Sequence, residues 1–162
     1  MRAIAALAAL LACGTAGAQE PTYAVRLLTM ETALQAARAA LESCRKSGYQ
    51  VAAAVVDRSG VTQVVLRDRF AGPHTVDMAV DKAWTAVTFR VSTTELAEIS
   101  QPGRPQSGLR TRPRVAAVGG GLTIEGAGTL LGGIGVSGAP GGERDEACAR
   151  AGIAAVQSAI DF

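Results

Sequence analysis

The sequence predicts an α+β fold: a single antiparallel β-sheet of about five strands, built from two hairpins and flanked by α-helices. Apolar runs typical of strands come in adjacent pairs that are separated by turn residues. Apolar residues at a spacing of three and four, which indicates amphipathic helices, lie before, between and after these pairs. Neighbouring strands of this kind pair antiparallel, and the helices then cover the sheet.

The first half of the chain predicts one helix and one hairpin. Residues 29–46 repeat apolar side chains with helical spacing, and Thr29 is a favourable N-cap. The apolar run 51–56 and the segment 61–67 are predicted strands. Between them lies the turn sequence 57–60, in which we expect Asp57 to shape the turn.

The second half predicts three helices and a second hairpin. Helices are expected at 75–90, 93–100 and 143–159, the last opened by acidic residues that suit a helix N-terminus. Segment 101–114 is predicted to be irregular because it contains three prolines. Strands at 122–124 and 130–137 would form the second hairpin around residues 125–128.

The glycine-rich segment 133–138 reads G-x-G-x-x-G, but its context does not favour a nucleotide site. A dinucleotide fingerprint requires a helix and then a second parallel strand, and here only a helix follows in the printed sequence. No lysine follows the glycines in the P-loop pattern. We therefore expect the glycines to permit close packing and positive φ angles.

The N-terminus predicts export. Residues 1–18 have a positive start, a short apolar run and the Ala16-Gly17-Ala18 cleavage pattern, so the mature domain would span 19–162. The alternative is a lipoprotein signal at 10–14, with Cys13 carrying lipid. Either pathway predicts a periplasmic or secreted protein, and no transmembrane segment is expected in the mature chain.

Composition narrows the classes of binding partner. Charge is nearly balanced, with 16 basic and 14 acidic residues, and aromatic residues make up only 4%, which argues against nucleic acid as a partner.

The number of cysteines predicts one disulfide. An exported mature chain keeps two cysteines, Cys44 and Cys148, on the first and last predicted helices. We expect a disulfide between them, worth about 4 kcal/mol in the chain-entropy model. The alternative is a pair of buried thiols.

Five short motifs in order resemble the GlcG/HbpS-like family of haem-binding proteins. They are Val55-Val-Asp57-x-x-Gly60, Gly72-Pro-His-Thr75, Lys82-Ala-Trp-Thr-Ala86, Ile134-Gly-Val-Ser-Gly138 and Asp145-Glu-Ala-Cys-Ala-x-Ala-Gly152. The resemblance implies one domain with a sheet flanked by helices, self-association into a homo-oligomer, and binding of haem or a related tetrapyrrole. Some relatives are described as haem-degrading, or as accessory partners of a membrane sensor.

The resemblance also directs attention to one group of residues. His74, the only histidine, is the expected haem iron ligand, with a capping or surface role as the alternative. Thr75 belongs to the same motif. Met78 and Lys82 follow one and two turns later, as a soft sulfur contact and a partner for a haem propionate. Their alternatives are core packing for Met78 and a solvated charge for Lys82.

Other residues carry weaker hypotheses. Trp84 either stacks on a porphyrin or packs in the core. The arginines of the proline-rich loop either bind carboxylates or are solvated; they are Arg104, Arg110, Arg112 and Arg114. Ser137 misses the G-x-S-x-G nucleophile pattern by one position, so no hydrolase and no catalytic residue is predicted.

The sequence therefore predicts an exported small haem-binding protein that sequesters, handles or senses haem. Oxidative haem degradation is the one enzymatic activity considered. The alternative is a disulfide-stapled interaction module, an accessory protein without a cofactor.

Overall fold

The computed structural model describes residues 20–161, which form an α+β domain as predicted. The elements, in chain order, are α1 (Met30–Lys46), β1 (Ala52–Asp57), β2 (Thr62–Arg67), α2 (His74–Phe89), α3 (Thr93–Ile99), a short 3₁₀ helix (Ser107–Thr111), β3 (Gly121–Gly126), β4 (Thr129–Ser137), α4 (Gly142–Ala154) and α5 (Gln157–Ile160). The sheet has four strands rather than about five, because the two hairpins alone make it up.

The sheet is antiparallel throughout, with the order β2-β1-β4-β3. Both predicted hairpins are confirmed, and β1 pairs with β4 at the centre. The turn of the first hairpin depends on Asp57, whose carboxylate accepts the N–H groups of Ser59 and Val61 at 2.8 and 2.9 Å. This agrees with the role expected for Asp57.

Helices cover both faces of the sheet, so the domain has three layers. Ala53 and Val55 of β1 point to the layer formed by α1 and α4 and join the larger core. Ala52, Ala54 and Val56 alternate with them and point to α2 on the opposite face. Because both faces are buried, β1 is apolar along its whole length up to Asp57.

Glycines of β4 bring α2 unusually close to the sheet. A Cβ atom on Gly135 would lie 2.0 Å from the Ala79 carbonyl oxygen, and one on Gly133 would lie 2.7 Å from the Val87 side chain. Gly138, which follows the strand, has a φ of 130°. The G-x-G-x-x-G segment is therefore a packing surface in an antiparallel strand, as expected, and not a phosphate loop.

The last predicted helix is interrupted, so its prediction as one helix over 143–159 is wrong. Helix α4 ends at Ala154, and the Val156 N–H donates to the Ile153 carbonyl at 3.0 Å, a tighter turn than an α-helix makes. The break lets the buried Val156 and Ile160 both face the larger core. Helical spacing alone did not reveal this change of direction.

No helix within residues 20–161 is both long and apolar enough to cross a membrane. The predicted signal segment 1–18 and Cys13 lie outside the described residues.

Candidate functional site

An open groove of about 320 Å³ lies between the first half of α2 and the loop that follows β4. Its walls bring together sequence segments that are far apart in the chain. They are His74, Met78, Lys82, Val118, Ser137, Gly138, Ala139, Gly141, Gly142 and Asp145. Three of the four predicted cofactor-binding residues therefore line one groove, and Thr75 does not.

His74 is exposed at the mouth of this groove, in the first turn of α2. The preceding turn is held by the Gly72 carbonyl, which accepts the Thr75 backbone N–H at 3.0 Å and the Thr75 hydroxyl at 2.7 Å. The Thr75 side chain is buried and points into the turn. The structure thus places Thr75 behind His74, where it holds the chain that carries the imidazole.

Apolar side chains stand next to the imidazole. Met78 and Val118, which are 36% and 41% exposed, line the groove from two sides. Exposed apolar surface beside a potential metal ligand suits a ligand that is itself largely apolar. Met78 is therefore not core packing, and its role as a sulfur contact stays a prediction.

A buried ion pair forms the floor of the groove. The Lys82 ammonium lies 2.7 Å from an Asp145 carboxylate oxygen and also donates to the Val136 carbonyl at 2.9 Å. The other Asp145 oxygen accepts the Ala139 N–H at 2.9 Å. Lys82 is thus buried and paired, and its solvated alternative does not hold; its pairing with a haem propionate stays a prediction.

Burial affects the pKa of the Asp145 carboxyl group. Desolvation raises the pKa of Asp145 above the ordinary value, while the hydrogen bond and charge of Lys82 and the Ala139 N–H act in the opposite direction. The charged pair therefore carries a desolvation cost. The ion pair links α2, the end of β4 and the start of α4, and all three border the groove.

Trp84 and two loop arginines are occupied elsewhere. The Arg114 guanidinium lies 4.7 Å from the centre of the Trp84 ring and 3.2 Å from an Asp81 carboxylate oxygen. Arg110 donates to the backbone carbonyls of Ala97 and Ser100. These contacts hold the second half of the irregular loop, and Trp84 is not among the residues that line the groove.

The Cys44–Cys148 disulfide is confirmed. It joins α1 to α4, with a Cα–Cα distance of 5.5 Å, and it closes a sequence separation of 104 residues. Cys148 lies one turn after Asp145, so α4 is tied covalently to α1 and by an ion pair to α2.

The side chains in the groove lining that could ligate a metal are His74, Met78 and Asp145. No cluster of three or more His, Cys, Asp or Glu side chains that would hold a bare metal ion occurs within the described part of the chain. His74 alone offers an imidazole in the groove. Haem iron needs only one or two protein ligands, because the porphyrin supplies four.

Comparison with known proteins identifies the family. The profile of the family described as "Haem degrading protein HbpS-like" matches residues 28–154. The chain belongs to this family. HbpS from Streptomyces reticuli, solved as a double mutant, is 40% identical with a TM-score of 0.78, and the match covers 94% of this chain and 97% of HbpS.

Two further relatives are a PduOC structure and a PduO protein. A PduOC structure, solved as a complex with haem, is 34% identical with a TM-score of 0.75 and covers 80% of this chain and 94% of that one. The corrinoid adenosyltransferase PduO of Salmonella typhimurium is 36% identical over 124 residues, which are 75% of this chain but only 37% of PduO. The chain thus spans well under half the length of that relative.

Sequence reasoning missed Asp145 and Val118 as parts of the groove. One sequence feature did include Asp145: it opens the last of the five family motifs, to which no role in ligand binding was given. Val118 gave no signal, because its place depends on the path of the preceding irregular loop.

Proposed function

We propose that this family member is an exported haem-binding protein that sequesters, handles or senses haem, with His74 as the iron ligand. The observation that carries the proposal is the exposed imidazole of the only histidine at the mouth of a partly apolar groove. The HbpS-like family and the PduOC relative that was solved with haem support it.

The groove would accept one side of a haem. Its volume of about 320 Å³ is at the lower end of the ~300–1,000 Å³ usual for ligand pockets. A bound haem would supply redox chemistry and open coordination at its iron. His74 would hold the iron, while Met78 and Val118 would cover part of the ring. We propose that a second copy of the chain in a homo-oligomer covers the remainder.

Lys82 would have only one N–H donor left to bind a propionate. The ammonium has three N–H donors, and Asp145 and the Val136 carbonyl already take two of them. A propionate reaching the floor of the groove would therefore join the ion pair rather than replace it. This predicts a modest role for Lys82 in affinity and a larger one in stability.

The disulfide supports export. Disulfides persist in oxidising compartments, and this one is well buried between two helices. Mass spectrometry of the mature protein tests the pathway: an N-terminus at Gln19 supports a cleaved signal, a lipidated Cys13 supports a lipoprotein, and a retained Met1 contradicts export.

A haemin titration tests the proposal. The untagged chain 19–162 is titrated and followed by absorption, beside His74→Ala and the control Asp77→Ala, an exposed residue of α2 outside the groove. We expect a saturable Soret shift in the wild type and the control that is lost in His74→Ala. A shift retained in His74→Ala would mean that a residue other than His74 ligates the iron. No saturable shift in any protein would contradict haem binding and favour a cofactor-free interaction module.

The family description favours a second candidate, oxidative haem degradation. The haem-loaded protein is mixed with a reductant and oxygen, with free haemin as the control. Protein-dependent, irreversible loss of the Soret band would support degradation. A reversible redox change without loss of the band would support a carrier or a sensor.

A further inference from the structure

The imidazole of His74 lies directly over the backbone of Gly72. A Cβ atom built on Gly72 would lie 2.7 Å from Cε1 and 2.9 Å from Nδ1 of the ring, but 3.8 Å from Nε2. The first two distances are well below the ~3.5–4.0 Å at which carbon atoms make optimal contact. Only a residue without a side chain at position 72 therefore permits this ring position.

The ring is oriented as well as placed. Its Nδ1–Cε1 edge faces Gly72, and Nε2 is the ring nitrogen farther from the backbone. The φ of Gly72 is outside the left-handed region, so the backbone conformation itself does not require glycine here. The absence of a Cβ atom serves the neighbouring imidazole and not the turn.

Thr75 keeps Gly72 in place beneath the ring. Its buried hydroxyl and its backbone N–H both donate to the Gly72 carbonyl, at 2.7 and 3.0 Å. Pro73, between them, restricts the chain further through its fixed φ. The turn beneath the imidazole is thus held by two hydrogen bonds in the free protein.

We propose that Gly72 and Thr75 are positioning residues: the missing Cβ of Gly72 leaves the space in which the His74 ring lies with Nε2 outward, and Thr75 holds Gly72 there, so that Nε2 and not Nδ1 ligates iron. The ligation part rests on the proposed function; the ring position does not.

The first experiment needs no haem. His74 is the only histidine, so an untagged protein gives one set of imidazole NMR signals. We expect a nuclear Overhauser effect between Hε1 of His74 and the Hα protons of Gly72. Its absence in the wild type would overturn the ring position, whatever the result of the haemin titration.

The second experiment measures haemin affinity in Gly72→Ala against Gly108→Ala. Gly108 is a matched control because a Cβ there meets no atom within 4 Å and its φ is also outside the left-handed region. We expect Gly72→Ala to weaken haemin binding at least tenfold and to change the ligand-field bands, with the thermal midpoint close to that of the control. Unchanged affinity and bands would overturn the proposal.

Thr75 gives a variant pair that separates positioning from packing. Thr75→Ser keeps the hydroxyl that reaches Gly72, whereas Thr75→Val keeps the shape and loses it. We expect the serine variant to retain the haemin spectrum and the valine variant to shift it. If both variants behave alike, the hydroxyl does not position the ring. A wild type that shows the Overhauser effect but binds no haemin would refute the proposed function alone.

Discussion

The two faces of the sheet differ in what they are built to do. On one face, α1 and α4 are joined by the Cys44–Cys148 disulfide and pack over a continuous apolar core. On the other face, α2 rests on glycines, carries a buried charge pair and leaves His74 exposed at its first turn. The first face supplies stability. The second carries a desolvated charge pair, which lowers stability, and it borders the groove.

This difference teaches where substitutions should affect stability and where they should affect ligand binding. Changes on the disulfide face, apart from the first turn of α4 that carries Asp145, should alter the free energy of unfolding and leave the groove intact. Changes under α2 should affect both, because α2 carries the groove residues and also covers half of the sheet.

The largest effect on stability is expected on the disulfide face. The double variant Cys44→Ser/Cys148→Ser should lower the free energy of unfolding by about 4 kcal/mol, because the unfolded chain regains the entropy of a long loop. Urea unfolding followed by circular dichroism measures this. Haemin affinity under native conditions should stay within about twofold. A loss below about 1 kcal/mol, or a selective loss of haemin binding, would contradict the division between the faces.

The next effect is expected at the floor of the groove. Lys82→Met should lower the free energy of unfolding by about 3 kcal/mol, because it leaves the buried Asp145 carboxylate without its partner. Chemical denaturation at neutral pH measures it. The double variant Lys82→Met/Asp145→Leu should recover most of the loss, since it removes both charges. A single variant as stable as the wild type would show that the pair is not buried in solution.

The close approach of α2 can be tested at Gly135. Gly135→Ala should cost about 2 kcal/mol, because the new methyl group meets the Ala79 carbonyl and α2 must move. Thermal and urea unfolding measure the loss, with Gly108→Ala as the control. We also expect weaker haemin binding, since the moved helix carries His74. Stability equal to that of the control would contradict the packing role of the glycine-rich strand.

The smallest effect is expected on the outer side of α2. Arg114→Ala should cost about 1 kcal/mol or less, because its contacts with Trp84 and Asp81 are partly exposed. The intrinsic fluorescence of Trp84, the only tryptophan, should change when the cation leaves its ring. Arg112→Ala, which removes an exposed arginine two residues earlier, is the control. An unchanged fluorescence spectrum in Arg114→Ala would contradict the contact.

Local patterns predicted the elements well, because each helix and strand has its own period, caps and turn residues. Both hairpins and the Asp57 turn followed from such signals, whereas the disulfide followed from the two cysteines that the predicted export leaves in the mature chain. The interruption near Val156 did not, because it depends on where the core accepts Val156 and Ile160. The sheet has four strands rather than about five, because the two hairpins supply all of its strands.

The sequence predicted only the groove residues that lie on α2. His74, Met78 and Lys82 share a face of α2, so helical spacing brought them together. Asp145 and Val118 come from distant segments, and their place depends on how α4 and the irregular loop pack. Thr75 was assigned to the ligand from its motif, whereas its hydroxyl turns inward to Gly72.

The most direct test of the account is electron–nuclear double resonance on haemin-loaded protein in which histidine carries ¹⁵N. His74 is the only histidine, so any ¹⁵N coupling to the ferric iron must come from its ring. The account predicts a strong coupling to one ring nitrogen that disappears in unlabelled protein. A stoichiometric haemin complex without any ¹⁵N coupling would contradict ligation by His74.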